Sequence, residues 1–145
     1  MESKPLALVI EDNVDLNAIF SSALERAGYS IQSVFDGAMA EQLLTEVVPA
    51  MIILDLHMPK VSGDVVLKHI RSDPRLKQVR VIIVTADARF ADALQFQAEL
   101  VLLKPISFSQ LSALAGRFAP KPNSEMQAPE IDPSADKPET TEGQT

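Results

Sequence analysis

The chain has 145 residues, 46% of them hydrophobic, and a formal net charge of -7. That length favours one domain, with apolar residues sufficient for a real core. The lack of cysteine excludes disulfides, thiolate catalysis and Cys-type zinc sites, His57 and His69 do not form a zinc-ligand spacing, and the acidic balance argues against direct binding to nucleic acid. No apolar run approaches the ~20 residues of a bilayer span, and Lys4-Pro5 leads into too short an apolar run for a signal peptide. A soluble, cytoplasmic protein without membrane insertion is expected.

Leu6 to Ile10 is an apolar run that stops at Glu11-Asp12-Asn13, which reads as a first strand and an acidic loop. Leu16, Ile19, Phe20, Ala23, Leu24 and Ala27 follow at helical spacing, and Gly28 stands where a helix end wants a left-handed residue. Tyr29 to Val34 reads as a second strand. Asp36 is placed to cap a second helix whose Ala40, Leu43, Leu44 and Val47 share a face, and Pro49 ends it. Met51-Ile52-Ile53-Leu54 then runs straight into Asp55, the pattern of a strand buried on both faces.

Ser62-Gly63-Asp64 opens a third helix, with Asp64 in its positive first turn, Val66 and Ile70 facing inward, and Asp73-Pro74 as the stop. Val79 to Val84 is nearly all β-branched and reads as a fourth strand, ending at Thr85-Ala86-Asp87. A short fourth helix is expected over Arg89 to Gln97, and a fifth strand over Leu100 to Leu103, ending at Lys104-Pro105. Ser107 to Gln110 has the pattern of a capping box ahead of a fifth helix lined by Leu111, Leu114, Ala115 and Phe118. Five β-α units in regular alternation imply a parallel sheet with right-handed crossovers and helices on both faces. No internal repeat is present.

From Ala119 to Thr145 the pattern changes. This stretch holds half of the prolines, six acids and two lysines, with no apolar periodicity. It cannot bury enough surface to offset its ordering entropy, so a folded domain over 5–118 and a disordered, acidic, Pro-rich tail over 119–145 are expected.

Polar residues end four of the strands: Glu11 with Asp12, Asp55, Thr85 and Lys104. In a parallel sheet these ends share one rim, the rim at which open α/β sheets bind ligands. Three crowded carboxylates repel unless a cation joins them, and hard oxygen ligands suit Mg²⁺. Adding an ammonium and a hydroxyl makes a place for a phosphoryl group, with Asp55 able to attack phosphorus in line. Each of these residues alone has an ordinary structural reading as a turn, a cap or a solvent-reaching side chain. The ordered set is what points to chemistry.

Over about residues 5 to 118 the chain resembles the receiver domain of two-component response regulators. The resemblance rests on Val9-Ile10-Glu11-Asp12-Asn13, Leu54-Asp55-Leu56-His57-Met58-Pro59 with Gly63, Val84-Thr85-Ala86, and Lys104-Pro105. It implies a flavodoxin-like, doubly wound five-stranded sheet in the order 2-1-3-4-5. It makes Asp55 the phosphoacceptor, with a sensor histidine kinase or histidine phosphotransfer protein as donor and an unnamed downstream protein as target. Glu11, Asp12, Asp55 and the His57 backbone carbonyl would hold Mg²⁺. Thr85 would contact a phosphoryl oxygen, Lys104 would pair with the phosphate, and Lys104-Pro105 would be cis. Such a protein catalyses only its own phosphorylation and dephosphorylation. With no second patterned domain, a stand-alone receiver is expected.

Two departures bear on output. The family carries about one more helical turn and a Gly-Ala pair between the positions of Thr85 and Lys104, where this chain has Phe96-Gln97-Ala98-Glu99. It also commonly places Tyr or Phe three residues before the lysine, where this chain has Val101. Two rival functions fit the sequence less well. A phosphatase using an aspartyl-phosphate would want a second acid two residues past Asp55, where His57 stands. A phosphate-independent interaction module would not need the intact acid pair, Asp55, Thr85 and Lys104.

Overall fold

In the computed structural model, residues 4–120 are described. The expected tail lies almost wholly outside them. The elements alternate in the order β1 (Leu6–Ile10), α1 (Val14–Arg26), β2 (Ser30–Val34), α2 (Gly37–Leu44), β3 (Met51–Asp55), α3 (Gly63–Ser72), β4 (Arg80–Thr85), α4 (Ala88–Leu94), β5 (Leu100–Leu103) and α5 (Phe108–Arg117), with a 3₁₀ turn at Pro74–Leu76. The five strands form one parallel sheet in the order β2-β1-β3-β4-β5. This is the flavodoxin-like architecture that the pattern and the resemblance imply.

The sheet faces follow from strand alternation. Leu8, Ile10, Ile52, Leu54, Val81 and Ile83 point to one side, where Ala40 and Leu44 of α2 and Val66, Leu67 and Ile70 of α3 cover them. Ala7, Val9, Met51, Ile53, Ile82 and Val84 point to the other, under Phe20, Ala23 and Leu24 of α1 and Leu111 and Ala115 of α5. β3 is buried at all five positions, as a central parallel strand should be. Tyr29, just ahead of β2, is buried and donates its hydroxyl to the Ala115 carbonyl at 3.1 Å, tying β2 to α5.

Asp36 and Ser107 cap helices as their sequence pattern implies, and Asn13 and Asp87, which read as loop residues, cap two more. Asn13 accepts from the Leu16 amide, Asp36 from Met39, Asp87 from Arg89 and Ser107 from Gln110. Gly28 has φ +107°, the left-handed conformation in which a side chain would be strained. Lys104-Pro105 is cis.

Several details differ from the sequence pattern. Ile19 is 42% exposed, because α1 turns only Asn17, Phe20, Ala23 and Leu24 fully to the sheet. Val47 lies outside α2, which closes at Thr45. β4 starts at Arg80 rather than Val79 and extends to Thr85. α4 covers seven residues, Ala88–Leu94, rather than Arg89 to Gln97, and none of them is fully buried. Phe118 is the cap of α5 rather than part of it.

Candidate functional site

Register brings the polar strand ends together. Ile10 pairs with Leu54, so Glu11 stands beside Asp55. Asp55 pairs with Val84 and Thr85 with Leu103, so Thr85 and Lys104 each step one residue further along the rim. The Lys104 amide donates to the Thr85 carbonyl at 2.8 Å, extending the β4·β5 ladder to the lysine. Residues from four strand ends remote in sequence thus reach one edge of the sheet.

Glu11, Asp55 and Thr85 are buried at 1%, 3% and 0% exposure, while Asp12 is exposed. Glu11, Asp12 and Asp55 each offer an oxygen within 4.8 Å of the others. Lys104 Nζ lies 3.0 Å from Glu11 Oε1 and 3.6 Å from Asp55 Oδ1. The Asn13 amide donates to Glu11 Oε2 and the His57 amide to Asp55 Oδ1, both at 3.1 Å. Glu11 Oε1 is buried and accepts no hydrogen bond of good geometry, although the lysine ammonium is close. Burying a carboxylate oxygen in that condition is costly, and the Lys104 ammonium is the cation that offsets it.

Burial pushes the Glu11 carboxyl up to about 7, with the Asp55 charge adding to the rise and the Asn13 amide and Lys104 opposing it. Burial also raises Asp55, against the pull of the His57 amide and Lys104. Desolvation penalises both charged forms, which is the setting in which acids at functional sites depart from their ordinary range.

Thr85 Oγ1 accepts from the Asp87 amide at 3.1 Å, which leaves its own proton to donate elsewhere. Gly63 permits α3 to begin directly behind Asp55. A Cβ there would lie 2.2 Å from the Asp55 carbonyl oxygen and 2.6 Å from Leu56 Cα. The Gly63 amide donates to the Leu56 carbonyl at 3.0 Å.

The fold gathers Glu11, Asp12, Asp55, Thr85 and Lys104 at this edge. The His57 amide faces Asp55, and its ring packs edge-on against Phe90 of α4, with centroids 5.5 Å apart. That aromatic contact was not legible in sequence, since nothing in the spacing of His57 and Phe90 links them. Asn17 is a further residue of this edge that hydrophobic spacing does not reveal. It is buried, and its carboxamide nitrogen lies 3.0–3.1 Å from the carbonyls of Val9, Glu11 and Val34. Its signal in sequence was a polar residue three positions before Phe20 on the buried stripe of a helix.

Comparison with known proteins bears on this arrangement. The model of the response regulator receiver domain family matches residues 7–115. The DNA-binding dual master transcriptional regulator RpaA of Synechocystis is 33% identical over 112 residues, covering 75% of this chain and 46% of that protein. The two-component response regulator ORR5 of Oryza sativa subsp. japonica is 32% identical over 117 residues, covering 78% and 87%. Among solved structures, the receiver domain of a sensor histidine kinase from Pseudomonas aeruginosa PAO1 superposes with a TM-score of 0.71 at 25% identity, covering 80% of this chain and 98% of that one. It has a magnesium ion coordinated in its active-site cleft. The chain spans less than half the length of RpaA.

Proposed function

The chain belongs to the response regulator receiver domain family, and from that membership we propose that it serves phosphorelay signal transduction by accepting a phosphoryl group on Asp55. The observation that carries this reading is the Asp55 carboxylate, buried at the end of β3 within reach of two further acids and 3.6 Å from Lys104. We take the receiver domain to be residues 5–118.

Asp55 is the nucleophile. One of its oxygens forms a bond to phosphorus, and the bond from phosphorus to the donor breaks, with its electron pair leaving on the donor nitrogen or oxygen. Lys104 pairs with the transferred phosphoryl oxygens, and Thr85 donates its hydroxyl proton to one of them. Glu11, Asp12, Asp55 and the His57 carbonyl are the residues that would hold Mg²⁺. The hard donor set, with carboxylate oxygens of three residues within 4.8 Å of one another, fits that ion. When bound it supplies neutralisation of the phosphoryl charge. The chain acts on itself and not on a turned-over substrate. The donor is a sensor histidine kinase or a histidine phosphotransfer protein, and phosphorylation changes protein-protein contacts. The location that goes with these partners is the cytoplasm, and no helix among the described residues is long and apolar enough to cross a membrane.

The test is incubation with an acyl phosphate and Mg²⁺, followed by intact mass. A single phosphoryl adduct is expected on the parent chain and none on Asp55→Asn. An equal adduct on the variant, or none on the parent, overturns the reading.

A further inference from the structure

We propose that Asn17 is a positioning residue for the metal-binding acid Glu11, acting through the backbone at the carboxyl end of β1. The inference rests on the reading of Glu11 as a Mg²⁺ ligand given above.

Asn17 touches none of the reacting groups. It sits on α1 at 1% exposure, and its Nδ2 lies 3.0 Å from the Glu11 carbonyl, 3.1 Å from that of Val9 and 3.1 Å from that of Val34. The Glu11 amide also donates to the Val34 carbonyl at 3.0 Å. One carboxamide therefore ties the last turn of chain in β1 to the last residue of β2. Two N–H donors facing three carbonyls are fully used, so the group has a single orientation. Its Oδ1 accepts from Ser21 Oγ at 3.1 Å, which holds the amide plane from behind, and Ser21 Oγ lies 3.1 Å from Ser33 Oγ of β2.

A side chain buried for packing alone would be apolar, because a buried amide is costly unless it is paired. Here the amide is spent on the carbonyl of the Glu11–Asp12 peptide group and on the Val34 carbonyl, which itself accepts from the amide of the peptide group on the other side of the Glu11 Cα. Those groups set where the Glu11 side chain leaves the backbone, and so which way Oε1 faces. Glu11 has three side-chain torsions, and a backbone that tilts at its Cα moves the carboxylate by a distance that matters to a cation. Groups that orient metal ligands without touching the metal contribute about 10–100-fold to affinity.

The experiment uses the full chain and reads Mg²⁺ binding by titration calorimetry, beside thermal stability. Asn17→Ala is expected to weaken Mg²⁺ about tenfold. It should also raise the Mg²⁺ concentration for half-maximal phosphorylation by the same factor, with the rate at saturating Mg²⁺ retained. Ala23→Gly, buried on the same helix but away from the loop, lowers stability and should leave Mg²⁺ affinity unchanged. Ser21→Ala, which removes only the support behind the amide, should show a smaller loss of Mg²⁺ affinity and serves if Asn17→Ala does not fold. Parent-like affinity in Asn17→Ala overturns the proposal, as does parent-like affinity in Ser21→Ala where Asn17→Ala is unfolded. An equal loss in Ala23→Gly at matched stability reduces Asn17 to a packing role and also overturns it. A parent chain that binds no Mg²⁺ overturns the functional reading itself, and this inference with it.

Discussion

Lys104 holds its ammonium nitrogen 3.0 Å from Glu11, closer than the 3.6 Å that separates it from Asp55. Before phosphorylation, the lysine is thus the principal counter-charge of the neighbouring acid as well as of the acceptor. In the proposed phosphorylation that ammonium would be shared with the phosphoryl group, and Glu11 would then depend on a bound cation.

Stability should fall as pH rises across the titration of Glu11. Its carboxyl is raised from an ordinary 4.5 to about 7, so the folded chain holds this proton more tightly than the unfolded chain does. The stabilisation is complete below 4.5 and is lost as pH climbs through about 7, at no more than roughly 1.4 kcal/mol per unit. Asp55 is raised as well and contributes with the same sign. Denaturant melts between pH 4.5 and 8 without divalent cations check this, and Glu11→Gln should flatten the curve.

Lys104→Met should destabilise more at pH 8 than at pH 5. At the higher pH it leaves two buried carboxylates with no ammonium beside them. The cost should be about 2 kcal/mol, below the roughly 3–5 kcal/mol of fully buried pairs because Lys104 is partly exposed. A loss that is the same at both pH values would show that the lysine acts only by packing its stem.

Mg²⁺ should raise the melting temperature of the unphosphorylated chain, because a ligand of the native state stabilises it by mass action. Asp12→Ala should remove most of that rise. Asp12 is exposed, so its loss should cost little stability in the absence of metal, and the effect can be read as binding. A melting response equal to the parent's would take Asp12 out of the metal site.

Gly63→Ala should cost about 1–3 kcal/mol and slow phosphorylation, because the added Cβ meets backbone atoms of Asp55 and Leu56 that cannot swing aside. Gly28→Ala is the control. It is strained by its φ of +107° but meets nothing within 4 Å, so stability should drop while the rate of adduct formation stays. Equal rates in the two variants would mean that α3 does not position the acceptor.

Output is expected to run through α4. This helix has seven residues with none fully buried, and Val101 lacks the ring or hydroxyl that could report the position of Thr85. The segment is pinned at its far end, where Arg71 donates to the carbonyls of Gln97 and Val79, and Glu99 accepts from the Val81 amide. Its near end touches the acceptor loop through Phe90 and His57. Hydrogen exchange on apo and beryllofluoride-loaded protein should therefore show protection rising between Ala86 and Glu99 more than in α1 or α2. A response confined to another face would place the output elsewhere.

Local pattern in the sequence was enough to identify five β-α units, the strand ends and the order in which Glu11, Asp55, Thr85 and Lys104 appear. Strand runs, helix stripes, caps and the glycine after α1 all act over a few residues, so each can be read where it stands. Parallel pairing then forces those strand ends onto one edge, which is why the constellation of acids, hydroxyl and lysine was visible before any coordinate was. Contacts between residues far apart in the chain were decided only by the tertiary structure. The register Ile10–Leu54 and Thr85–Leu103 sets which acid lies nearer Lys104. The approach of α3 to β3 makes Gly63 indispensable at a position that read in sequence as the start of a helix. Packing of α1 turns Asn17 inward and Ile19 outward, against what hydrophobicity alone would order. A helical stripe wide enough for both leaves the choice to the sheet beneath it, and there the three carbonyls at the ends of β1 and β2 select the amide.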